Sequence, residues 1–136
     1  MKIGHFPKLL AAAIGFLIVN VTVSVLWVAV YAYLINPGHP AEFYQAYAQT
    51  AAPYSSIFAG MPLMFLMCWW LSRRWTPALA RKSAWQIWSI YAAIDLAVLF
   101  ASGMTTRLAT FAAVSLITKL GAAVLGARAG AVARQD

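Results

Sequence analysis

Four stretches of this chain are apolar over the length a helix needs to cross a bilayer, and they restrict the fold more than any other feature. They cover about residues 9–35, 54–71, 85–104 and 107–126. At 1.5 Å per residue, about twenty helical residues span a hydrocarbon core of roughly 30 Å. Composition leads to the same place. Of 136 residues, 63% are hydrophobic and 10% charged, against about 45–50% and about 25% in soluble domains. A chain this short cannot hide so much apolar surface in a water-soluble core, so lipid is its expected solvent. The fold expected is all-α: an antiparallel four-transmembrane-helix bundle, a single membrane domain over residues 1–136, with a short periplasmic or outer interfacial helix between helices one and two.

The first run follows a basic start with Lys2 and Lys8. A signal peptide starts similarly, but its apolar region spans only about 7–15 residues and ends at a small-residue cleavage site. This run is longer and ends in Tyr33, Leu34 and Ile35, so it reads as a spanning helix. Asn36-Pro37-Gly38 stops it, because Pro37 donates no backbone bond and Gly38 permits a turn. Residues 40–52 have Glu42, Gln45 and Gln49 on one helical face and Phe43, Tyr44 and Tyr47 on another, the pattern of a helix lying among headgroups. Pro53 is expected to break or kink it. The second span carries Gly60 and Pro62 near its centre. A basic loop over residues 72–83 precedes the third, and Gly103 with Thr105 or Thr106 is suited to turn the chain and cap the fourth.

Formal charge is +7, and eight of the ten basic residues flank the apolar runs. The balance therefore reads as topology and not as a nucleic-acid footprint. Lys2, Lys8, Arg73, Arg74, Arg81, Lys82, Arg128 and Arg134 fall on one side, while the first and third connections hold only Arg107. Both termini are expected on the cytoplasmic face of a multi-pass protein of a cell membrane, with the cell inner membrane the natural setting. The aromatics agree: Trp69, Trp70, Trp75, Trp85 and Trp88 gather at one boundary, and Tyr31, Tyr33, Phe43, Tyr44, Tyr47 and Tyr54 at the other.

Asp95 stands in the middle of the third run. A carboxylate there costs about 2.5–3.5 kcal/mol on insertion scales, so it must face protein, water or a counter-charge. Depth counted from the cytoplasmic ends places Asp95, Asn20, Lys119 and Pro62 within roughly 3 Å of one level. Side chains tilt toward a helix's N-terminus, so Asp95 and Lys119 lean toward each other, and a direct Asp95–Lys119 pair is expected. Trp88, Tyr91, Asp95 and Ser102 share a side of helix three. Ala112, Ser115, Lys119, Ala122 and Gly126 form a small-residue stripe on helix four, and Asn20, Ser24, Trp27 and Tyr31 a polar stripe on helix one. The candidate solute- or ion-binding residues are Asp95, Lys119, Asn20, Tyr91, Ser24 and Ser115. A structural role, in which the buried pair only specifies helix packing, competes with the functional one.

Other signals are weaker. Met61, Met64, Met67 and Cys68 carry soft ligands of the kind Cu(I) selects, but methionine is also a routine gap-filler, so no metal is assigned. His5 and His39 belong to opposite faces and cannot share a haem iron. No cofactor is expected. No catalytic triad, carboxylate pair, phosphate loop or H-E-x-x-H motif occurs, so no catalytic residue is assigned. The Arg73–Lys82 loop could hold anionic lipid heads at about 1 kcal/mol per basic residue, but setting topology by itself suffices to account for its charges. In size and helix count the chain resembles the small dimeric multidrug exporters. Those carry a membrane-embedded glutamate in the first helix, where this chain has Asn20. Two functions are therefore carried forward. One is a small transporter or transporter subunit with a polar site at the midplane, expected to be a homodimer because four helices make a thin wall. The other is an accessory membrane protein that binds a larger complex or lipid.

Overall fold

The computed structural model describes residues 5–133; Lys2, Arg134 and Asp136 lie outside them. Five α-helices follow in order: α1 (Phe6–Val30), α2 (Ala41–Phe58), α3 (Gly60–Ser72), α4 (Pro77–Ala101) and α5 (Thr106–Val132), with a π-helical turn at Tyr31–Ile35 and no strand among the described residues. Four helical paths are long and apolar enough to cross a membrane: Phe6–Ile35, Ala41–Ser72, Pro77–Ala101 and Thr106–Val132. By length and composition this is a helix bundle of a multi-pass membrane protein.

The turns form where their residues allow. The chain leaves α1 through the π turn, where Asn36 N–H reaches the Tyr31 carbonyl at 2.8 Å. Gly38 then takes φ +94°, in the left-handed region open to glycine. Tyr44 folds back on this turn, donating to the Asn36 carbonyl at 2.8 Å and accepting from His39 N–H at 3.1 Å. Gly103 makes the second tight reversal with φ +85°. Thr105 caps α5 by accepting from Leu108 N–H at 3.3 Å.

Two expectations about boundaries need correction. Pro53 does not end a separate helix: α2 runs through it, and the interruption falls at Ala59, between α2 and α3. A proline in mid-helix removes one backbone bond, and here the neighbouring turns hold the helix together. Ala41–Ser72 is thus one path of 32 residues, about 48 Å long. The basic loop is also shorter than expected. Thr76 and Pro77 start α4 early, since proline at the first helical position is pre-set for a helix, and Arg81 and Lys82 lie on that helix.

The tightest packing joins α3 to α5. A Cβ on Gly126 would collide with the Phe65 backbone carbonyl, and one on Gly130 with the Trp69 carbonyl. Backbone approach this close requires glycine at both positions.

Burial stops at one level. The buried residues of α1 end at Asn20, and those of α4 end at Tyr91 and Ala92. The buried residues of α3 begin at Gly60, those of α5 at Ser115, and α2 has none. The core therefore fills only the half of the bundle that holds the Arg73–Thr76 connection. In the other half the helices touch without enclosing a core.

Candidate functional site

The polar stripe of α1 is matched residue for residue by α2. Asn20 Nδ2 donates to Ser56 Oγ at 3.3 Å. One turn on, Ser24 Oγ and Ser55 Oγ share a 2.7 Å hydrogen bond. Trp27 Nε1 donates to Tyr47 Oη at 3.0 Å, and Tyr31 stacks on the same ring with centroids 3.7 Å apart. In an apolar medium such groups must find partners on neighbouring helices.

Lys119 enters this seam from α5. Its side chain is fully enclosed, with 0% exposure. Nζ donates to Ser56 Oγ at 2.8 Å and to Tyr91 Oη at 2.6 Å. The ammonium also lies 4.7 Å from the Tyr91 ring centroid and 5.9 Å from that of Phe16. Phe16 meets Tyr91 edge-on at 5.0 Å, which fixes the phenol from the α1 side. Space for the lysine stem comes from Gly60, where a Cβ would strike Lys119 Cε. Four spans thus converge on one cation: Asn20 from α1, Ser56 from α2, Tyr91 from α4 and Lys119 from α5.

The cluster keeps unused hydrogen-bonding capacity. An ammonium has three donors, and Lys119 uses two. Asn20 Oδ1 and Ser115 Oγ are buried with no partner among the described residues. Asn20 Oδ1 and Lys119 Nζ both lie 3.2 Å from the position a Gly60 Cβ would take, so a spare acceptor and a spare donor border the same point.

The expected Asp95–Lys119 pair is not a direct salt bridge, although the Asp95 charge lies near enough to act on both Lys119 and Tyr91. Among the described residues no basic nitrogen lies within 4.0 Å of a carboxylate oxygen. Asp95 is half-buried one turn beyond Tyr91. Tyr91, not Asp95, supplies the oxygen that meets the ammonium, its ring carrying the hydroxyl to Nζ. Tyr91, Ser115 and Asn20 are buried as a site at this level requires, and Ser24 is one turn away in the α1–α2 seam. Pro62 is exposed, and Gly60, two residues earlier, takes the inward position.

The sequence does not single out Ser55 or Ser56, and marks Gly60 only as a residue near the centre of the second span. With the second span started at residue 54, Ser56 counts as a boundary residue. In the unbroken Ala41–Ser72 path it stands near the middle. The available signal was the spacing Ser56-x-x-x-Gly60, a small polar residue and a glycine on one face. In the methionine run, Met64 and Cys68 are buried while Met61 is 41% exposed, so the four residues do not converge.

These features define a class: a multi-pass helical bundle with a buried lysine at mid-span. No protein-family model, no curated protein and no solved structure matches the chain.

Proposed function

We propose that the protein is a small transporter or transporter subunit that holds a proton or small polar solute at the Lys119 cluster. The observation that carries this reading is the level at which burial stops. A packed half ends at Asn20, Tyr91 and Lys119, and beyond it the helices are loosely associated, as a site closed on one side and approachable from the other requires. Two grooves, of about 460 Å³ between α1 and α2 and about 440 Å³ between α2 and α5, lie in that looser half. The first is lined by Ser55, one position from Ser56 of the cluster. The spare N–H of Lys119 and the bare Asn20 Oδ1 supply a donor and an acceptor for a bound solute.

The reading includes an antiparallel bundle with both termini on the cytoplasmic face, so that the looser half opens outward. In support, α1 and α2 pair Asn20 with Ser56 and Trp27 with Tyr47, one number rising as the other falls. The basic residues supply the orientation. With Ser56 near its middle, a path of about 48 Å overshoots the hydrocarbon core by roughly 9 Å at each end, so about six residues at either end of Ala41–Ser72 belong to the interfaces.

The competing reading, an accessory protein docked on a larger membrane complex, has one observation in its favour. Asp95 is half-buried at a depth where lipid is a poor neighbour for a carboxylate. A second copy or a partner subunit over that face would relieve the exposure. Reconstituted vesicles with an internal pH dye and a panel of small polar solutes test the choice. Flux lost in Lys119→Met and retained in Gly121→Ala is the expected result. No flux from the wild-type protein, or flux indifferent to Lys119→Met, would reject transport in favour of the accessory role.

A further inference from the structure

We infer that the α4–α5 groove at the Arg73–Thr76 end is a binding site for the phosphate-bearing headgroup of an anionic phospholipid. The groove has a volume of about 390 Å³, and Arg81 and Arg128 line it together with Pro77, Ala78, Ala127 and Val132. That size lies within the range of about 300–1,000 Å³ for small-ligand sites. Two guanidinium groups in one apolar groove match a phosphate, which they bind through paired charge-assisted hydrogen bonds. The walls match the glycerol and upper acyl carbons that follow it.

A second observation separates these two arginines from the others. Arg73 stacks on Trp69 and Arg74 on Trp70, each at 4.9 Å, and Arg107 lies 5.9 Å from the Phe111 ring. Among the described residues, only Arg81 and Arg128 of the arginines have no hydrogen bond, ion pair or ring contact, and both line this groove. The start of α4 adds to the attraction. Thr76 provides no side-chain cap, so the first N–H groups of α4, at Ala78 and Leu79, have no side-chain acceptor beside the groove. The anionic-lipid contact expected of the whole 73–82 loop is thereby narrowed to Arg81 and joined to Arg128 on another helix. The Lys119 site plays no part in this binding, and the proposed orientation serves only to assign the cytoplasmic leaflet.

The test is native mass spectrometry of the full chain in detergent, titrated with phosphatidylglycerol, phosphatidylcholine or inorganic phosphate. One phosphatidylglycerol per chain should bind in preference to phosphatidylcholine. Inorganic phosphate at about 10 mM should not displace it, because the apolar walls hold only a lipid. Arg81→Gln with Arg128→Gln should weaken phosphatidylglycerol binding about thirtyfold, from about 1 kcal/mol per basic residue. Arg73→Gln with Arg74→Gln should leave it within about threefold. Ala78→Trp, at an exposed wall position, should block the groove with both arginines present, and it decides the matter if the double arginine variant fails to fold. Equal loss in both arginine pairs, no preference over phosphatidylcholine, or an unaffected Ala78→Trp would overturn the lipid site. Displacement by inorganic phosphate would overturn it in favour of a free-anion site.

Discussion

Removing the Tyr91 hydroxyl while keeping its ring, as Tyr91→Phe, tests whether the phenol is the partner of Lys119. The ring still packs edge-on against Phe16, so the change is confined to the oxygen that accepts from Nζ at 2.6 Å. Loss of one acceptor to a buried cation costs about 1.5–3 kcal/mol. Lys119→Met loses two charge-assisted bonds, about 3–6 kcal/mol, but removes about 2.5–3.5 kcal/mol of cost for a cation at mid-membrane. Its net effect therefore lies between near neutrality and a loss of about 3.5 kcal/mol. Once the cation is gone, Tyr91→Phe should cost less, because Asp95 is then the one charged neighbour of the hydroxyl. The pair should accordingly show a coupling energy of about 1–3 kcal/mol. The same cycle between Asp95→Asn and Lys119→Met should give a smaller coupling, because no carboxylate oxygen lies within 4.0 Å of a basic nitrogen among the described residues and the two charges interact only at longer range. Unfolding in mixed micelles with rising SDS, followed by far-ultraviolet circular dichroism, measures both cycles. Coupling below about 0.5 kcal/mol for Tyr91–Lys119, or a larger value for Asp95–Lys119, would show that the ammonium's partner is misassigned.

Two further predictions concern packing and topology. Gly126→Ala should destabilise by about 1–3 kcal/mol, because its Cβ meets the Phe65 backbone carbonyl and only a shift of α3 against α5 relieves it. Gly121→Ala has nothing within 4 Å and should be neutral or stabilising by up to about 1 kcal/mol, as the same micelle titration would record. In a Cys68→Ser background, a cysteine at Gln45 should react with an impermeant thiol reagent in intact cells and one at Ala78 should not. The reverse pattern would invert the orientation and move the proposed lipid site to the other leaflet.

The number of long apolar helices was legible in the sequence, because it is decided by local quantities: apolar length, and Gly and Pro at the turns. Asn36-Pro37-Gly38, Gly103 and Thr105 act within a few residues of themselves, and the structure uses them as their chemistry dictates. Depth along a helix is also local, so Asn20 and Lys119 could be set at one level by counting. Their partners could not. Which hydroxyl reaches an ammonium depends on the rotation of four helices about their axes, and several rotations satisfy the same hydropathy. The tertiary structure decides it through Gly60, Gly126 and Gly130, which let α3 and α5 approach until Lys119 turns toward Ser56 and Tyr91. Pro53 shows the same limit from the other side. A proline's preference to end a helix is worth about 3 kcal/mol, yet α2 continues through Pro53 to Phe58. Ser56 thereby moves from the boundary to the centre of the bundle, a displacement that residue types alone do not encode.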